Sequence, residues 1–369
     1  MSKQVYILEK CYNSLIDEIK LESDNCVIRT QDGRFFSVSL ALGEAIQKIE
    51  NHRSNTLAQD TLTTILTTLL HKQLYLPLDS NTDIYRKEPK LTLHLNLISA
   101  ELATNISKVC RLLLQPIVMC IVALLSIGII GTYCVNFVEF SYSNLFTFSM
   151  NELFWVVFLL LASSLWHEVG HASACAYFSG RTGSIGVGIN VCIPCFFANV
   201  SNIYMISKKQ RMMVALAGVY FQLLFNGVLL VTLENTNILE KYILFSLLGM
   251  FFNLMPIYRN DGFWFLNDLL GKKDLLKESY GAFISKKMQS IHVIYLIFMT
   301  VFLLAFIALN LKFMLISGPE LISFITFSKA SFTEYIQLLM IISHYFVGIF
   351  ALFLLIKFSL FKAKELFYV

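Results

Sequence analysis

Charge is scarce in this chain: 15% of its 369 residues are Asp, Glu, Lys or Arg, against about a quarter in soluble domains. That shortage excludes an ordinary water-soluble enzyme. The net charge is only +4, and the Lys and Arg residues flank apolar blocks instead of forming a stripe with interleaved aromatics, which excludes a nucleic-acid surface. The first 24 residues, MSKQVYILEKCYNSLIDEIKLESD, contain no continuous apolar core, so a cleaved signal peptide is not expected and the N-terminus is expected in the cytosol. No internal repeat is visible. The 8 cysteines are scattered through apolar blocks and the polar N-terminal part, with no compact framework to staple, and are expected as reduced thiols.

Apolar residues are abundant. They form 56% of the chain, with 32 Phe and a mean hydropathy of +0.64, and they come in long blocks, not amphipathic stripes. The natural solvent for most of the chain is lipid, and the chain reads as a polytopic membrane protein.

Residues 1–90 differ from the rest and read as a small soluble domain ending in the polar stretch SNTDIYRKEPK. Cys26–Thr30 and Phe35–Ser39 flank Gln31-Asp32-Gly33-Arg34, whose Asp-Gly pair signals a hairpin. A helix is predicted from Leu42 to Ile49 and another from about Asp60 to Lys72, where Leu62, Ile65, Leu66, Leu69 and Leu70 recur at helical spacing. After a linker over 91–111, a membrane domain is predicted over 112–361, with six spans near 112–136, 152–178, 212–233, 242–258, 290–312 and 334–357, each close to the ~20 residues that a bilayer core requires. Lys108 and Arg111 precede the first span, Arg181, Lys208, Lys209 and Arg211 lie between the second and third, Lys272 to Lys287 between the fourth and fifth, and Lys362 and Lys364 after the sixth, all on one side, while the alternate loop 138–152 has neither Lys nor Arg. Both termini are therefore expected in the cytosol and the protein in the cytoplasmic membrane. The apolar stretch 186–200 is too short to cross and reads as a re-entrant or interfacial loop, which irregular backbone at membrane depth tolerates only beside protein or a wet cavity. The fold class expected is all-α and polytopic, about six transmembrane helices with a re-entrant segment, preceded by a small α+β cytosolic domain.

The second span contains Trp166-His167-Glu168-Val169-Gly170-His171, a His-Glu-x-x-His pattern. Two His residues four apart lie on one helix face, so both imidazoles can reach one Zn²⁺ while Glu168 serves as a base. An ionisable trio inside an apolar helix is costly in lipid unless it faces a cavity or binds something. A catalytic zinc takes three protein ligands, and the third must come from elsewhere. Asn253-Leu-Met-Pro-Ile-Tyr-Arg-Asn-Asp261-Gly262 breaks an apolar helix at Pro256 and supplies a carboxylate, Asp261, that can reach back toward such a metal. Other polar residues read less sharply. Cys192 and Cys195 read as loop packing, and the lone His292 and His344 as core or interfacial residues. Gln222 and Asn226 either bond across the bundle or line a substrate path.

The two spaced motifs, His167-Glu168-x-x-His171 followed by Asn253-x-x-Pro256-x-x-x-x-Asp261-Gly262, resemble the site-2 protease family of membrane-embedded zinc metalloproteases over about residues 150–270. The resemblance implies His167, His171 and Asp261 as zinc ligands, Glu168 as general base and Asn253 as a polar group near the substrate carbonyl. Ala217-Gly218-Val219 resembles that family's Ala-Gly-Pro segment, with Val219 in place of proline. The N-terminal part resembles the PqqD-type leader-binding domain, a winged-helix unit found on enzymes that process ribosomal peptides, with a short segment between Ile49 and Asp60. Such a unit would bind an extended peptide as an added strand.

The expected function is a zinc endopeptidase that cleaves a small precursor or leader peptide, such as a bacteriocin or pheromone, during maturation or export. The expected partners are the peptide, the bilayer and an exporter or modifying enzyme, with no nucleic acid. Two alternatives stay open: a regulated protease acting on a membrane-anchored factor, and a transporter or immunity protein with structural zinc, for which Cys175 is the spare ligand.

Overall fold

The computed structural model describes residues 3–7, 10–14, 16–21, 25–30, 35–51, 59–72, 74–77, 94–137, 148–190, 193–256 and 260–326. The Asp32-Gly33 turn, Cys192, His344 and the sixth expected span at 334–357 lie outside the described residues. The described chain is mostly helical, with a small sheet-containing N-terminal region. It divides into two compact units, one formed by Met1–Cys120 with Leu165–Phe221, the other by Ile121–Ser164 with Gln222–Val369.

In the first unit, β1 (Lys3–Ile7), β2 (Lys10–Ser14) and β6 (Tyr75–Pro77) form one antiparallel sheet, and β3 (Ile16–Leu21), β4 (Asn25–Thr30) and β5 (Phe35–Ser39) form another. Helices α1 (Leu40–Glu50) and α2 (Gln59–His71) complete this region. Ser39 accepts a bond from the Leu42 amide and starts α1. The apolar stripe predicted for the second helix is buried as expected, with Leu62, Ile65, Leu66 and Leu69 packed on Ile28, Ile46 and Ile49. Gly43 is required where α1 meets β4, since a Cβ there would lie 2.2 Å from the Cys26 Cβ. Deep in this core, Tyr75 and Ser14 each donate to Glu50 Oε1, at 2.5 and 2.7 Å. Burial first, and then the Glu50 carboxylate, hold the Tyr75 phenol well above the usual tyrosine range.

The segment expected as a linker carries β7 (His94–Ile98) and helix α3 (Ala100–Val109), which Ser99 caps. The apolar stretch at 186–200 is not irregular. It forms a hairpin of β8 (Ile185–Asn190) and β9 (Ile193–Ala198), and β8 also pairs with β7. Alternating Ile185, Val187 and Ile189 suit a strand, and Gly186 lets β7 approach, because a Cβ there would sit 2.3 Å from the Leu95 carbonyl oxygen.

Helices α4 (Pro116–Phe137), α5 (Met150–Ser179) and α6 (Lys208–Thr232), and the Ser290–Ala308 part of a further helix, are long and apolar enough to cross a membrane. Among the described residues these four, not six, meet that test, and they match the first, second, third and fifth expected spans. The fourth expected span falls on α7 (Asn237–Leu254), whose 18 residues reach only about 27 Å and carry Glu240, Lys241 and Asn253. The second unit packs α7 through Leu239, Tyr242 and Ile243 on Tyr133, Phe148 and Val156. Lys241, buried here, pairs with Glu152 at 3.2 Å and lies over the Phe148 ring. Gln222 donates to Ser163, while Asn226, fully buried, donates to Ser246 and accepts from Tyr242. These bonds fit the cross-bundle alternative for the Gln222–Asn226 pair. Beyond α7 come α8 (Asp261–Leu270), α9 (Leu275–Ile284) and α10 (Ser290–Thr326), around a core of Phe263, Leu275 and Tyr295.

Candidate metal centre

The His-Glu-x-x-His motif occupies the C-terminal half of α5, where residues 169–176 are all buried. One helical turn separates His167 from His171, and the structure brings their Nε2 atoms to 2.9 Å, with ring centroids 4.6 Å apart. Both imidazoles are buried, at 6% and 8% exposure, and Glu168 between them is half-buried. Nδ1 of His171 lies 2.8 Å from the Val214 carbonyl oxygen. A carbonyl only accepts, so Nδ1 holds a proton and donates, which makes Nε2 of a neutral ring the nitrogen that can act as acceptor or ligand. That is the outer-shell arrangement of a metal-binding imidazole. Nitrogens 2.9 Å apart also fit one ion at the usual Zn–N distance of about 2.0–2.1 Å. The donor set is thus suited to zinc.

Helix α6 closes this site. At its start Gln210 Oε1 accepts from both the amide and the hydroxyl of Ser207, and its register places two small residues against α5. A Cβ on Gly170 would meet the Ala217 carbonyl oxygen at 2.5 Å, and a Cβ on Gly218 would lie 2.4 Å from Nε2 of His171 and 2.6 Å from Nε2 of His167. Only glycine lets the two helices approach this closely. Phe221, one turn on, packs against Trp166 with ring centroids 5.5 Å apart. The roles of Gly170, of Gly218 beyond its place in the Ala217-Gly218-Val219 resemblance, and of the Val214 carbonyl emerge only from the packing of α6 on α5. Val219 leaves α6 unbroken from Lys208 to Thr232.

The remaining predicted residues lie in the other unit. Asp261 is the first residue of α8, half-buried, behind an N-cap at Asn260 that accepts from the Phe263 amide. Asn260 also donates from Nδ2 to the Phe252 carbonyl at 2.6 Å, tying α8 back to the end of α7. Gly262 is forced, because a Cβ there would fall 1.9 Å from the Leu254 carbonyl oxygen. This local fold explains an Asp-Gly pair directly after a broken helix. Asn253 is half-buried in the last turn of α7.

Cys175 is held elsewhere. Its buried thiol has carbonyl partners at Arg181 and Val200, both 3.8 Å away. Cys195 is half-buried on β9 opposite Gly188. His292 is buried at the start of α10, where its Nδ1 accepts from the Gln289 amide.

A protein of Bacillus subtilis (strain 168) named "Putative peptide zinc metalloprotease protein YydH" is similar to this chain, 26% identical over 116 residues. The match covers 30% of this chain and 46% of that relative, so the chain spans about half the length of the protein it matches. No protein-family model matches the chain. No solved structure matches it either. The similarity points toward a zinc protease family, in agreement with the donor chemistry of the His pair.

Proposed function

We propose that the protein is a membrane-embedded zinc metalloendopeptidase that cleaves a small precursor or leader peptide during maturation or export. The observation that carries this reading is the buried His167–His171 pair, with Nε2 atoms 2.9 Å apart and Glu168 on the same turn. The name of the Bacillus relative agrees with it.

In this reading His167, His171 and Asp261 hold the ion. Bound zinc supplies a Lewis acid that makes water nucleophilic near neutral pH. Glu168, half-buried and next to His167 in the chain, takes a proton from the attacking water and passes it to the leaving amine. Val214 holds His171 in the tautomer that donates electrons through Nε2. Asn253 orients the substrate carbonyl. The substrate must be extended here, since a helix keeps its carbonyls in its own hydrogen bonds. The N-terminal region acts as a PqqD-type leader-binding module on the cytosolic side, and an exporter or modifying enzyme works alongside. The protein sits in the cytoplasmic membrane with both termini cytosolic.

Metal content tests the ligand set. Purified wild type and Glu168→Gln are expected to carry about one zinc per chain, and His167→Ala, His171→Ala and Asp261→Ala to lose it. Retention of zinc by the histidine variants would overturn the site.

A further inference from the structure

The same compact unit holds the N-terminal module and the facing parts of α5 and α6. Strands β3 and β4 of the module reach both helices through charged side chains. Asp17 accepts from Arg181, two residues past the end of α5, at 2.6 Å. Lys20 donates to the Ile206 carbonyl at 2.8 Å, immediately before the Ser207–Gln210 start of α6. Arg29, whose side chain is only 9% exposed, holds Asp17 at 2.9 Å and also Glu18, and donates to Asn202 at 3.2 Å in the 3-10 turn Ser201–Met205. Phe35 of β5 packs against Tyr204 of that turn, with ring centroids 5.5 Å apart and the planes tilted by 54°.

This face of the module therefore holds the exit of the helix that carries the His pair and the entry of the helix packed against it. The spacing between those helices has no slack, since Gly170 lies against the Ala217 carbonyl and Gly218 against both imidazoles. We infer that Asp17, Lys20 and Arg29 form a clamp through which the N-terminal module positions α5 against α6, and so fixes the His167–His171 pair for its ion. These are positioning residues, remote from the reacting atoms. The zinc part of the inference rests on the proposed metal site; the clamp itself does not.

The test uses the full chain in detergent, with two readouts: amide hydrogen exchange along 201–211, and the rate of zinc loss to a chelator. Arg29→Gln removes a charged donor from three partners and is expected to raise both rates about tenfold or more, with exchange in α1 and β5 unchanged. Arg29→Lys keeps the charge without the planar fork and is expected to recover only part of the effect. Asp17→Asn and Arg181→Gln are each expected to raise both rates a few-fold, and the double variant no more than the worse single one. Wild-type rates in all variants, or an equal rise in α1 and β5, would overturn the clamp. If the wild type binds no zinc, the proposed metal site fails, while exchange at 201–211 still decides the clamp.

Discussion

Substituting Gly218 by alanine tests whether the two histidines serve a shared ion. In the middle of a helix this change favours folding by about 0.5–1 kcal/mol through backbone entropy, so a generic loss of stability is not expected. The added Cβ would lie 2.4 Å from Nε2 of His171 and 2.6 Å from Nε2 of His167, where ordinary contact begins near 3.4 Å. The imidazoles must therefore retreat by about 1 Å, several times the ~0.2 Å tolerance of a metal–ligand distance. His171 cannot retreat freely, because Nδ1 is bonded to the Val214 carbonyl at 2.8 Å. Without metal the rings need not converge on one point, and the entropic gain offsets part of the cost of shifting them. The expected outcome is an apo protein that melts near the wild-type temperature but gains nothing from zinc. Wild type is expected to gain about 2.7 kcal/mol at a hundredfold excess of zinc over Kd. Melting curves with chelator and with zinc, combined with metal analysis, read this directly. Wild-type zinc content in Gly218→Ala would refute the shared-ion geometry.

Three further outcomes follow from residues already described. Tyr75→Phe removes a donor from the buried Glu50 carboxylate and is expected to destabilise the N-terminal module by about 1–3 kcal/mol near neutral pH, read by hydrogen exchange in α1. Because the folded state raises the Tyr75 phenol, it keeps a proton that the unfolded chain releases near pH 10, so the wild-type advantage is present below that pH and shrinks as pH rises past it. Lys241→Met leaves the half-buried Glu152 without its cation, though still bonded to the Ser149 amide, and is expected to cost about 1–3 kcal/mol in thermal unfolding, whereas a loss below about 1 kcal/mol would show the pair to be solvated. Cys175→Ala is expected to keep full zinc content, since that thiol is engaged with backbone carbonyls; loss of zinc would favour a closed structural site.

The fold was legible where a single period dominates. The stripe of Leu62, Ile65, Leu66 and Leu69 predicted α2 and its buried face, and long apolar blocks located α4, α5 and α6 to within a few residues. The 242–258 block misled because the helix there is Asn237–Leu254, which starts earlier, takes in Glu240 and Lys241, and ends before Pro256. Strands β1, β2 and β3 escaped notice because they are short and mix polar with apolar residues, although β1–β2 and β3–β4 pair locally, and the strand β7 that pairs with β8 lies about ninety residues earlier, out of reach of any local pattern. At the site, His167, Glu168 and His171 were readable from spacing alone. Gly170, Gly218 and the Val214 carbonyl were not, since a glycine's value lies in the approach of a second helix, and a backbone acceptor leaves no mark in a sequence.

The central claim is that this protein cuts a peptide and that Glu168 moves the proton. Mass spectrometry of peptides from cells and medium, comparing wild type with Glu168→Gln, tests it without any assumption about the substrate. One small precursor is expected to accumulate uncut in the variant while its trimmed product vanishes, and the mass difference identifies the cleaved bond. Identical peptide pools, with both proteins made at equal levels and carrying zinc, would contradict precursor cleavage.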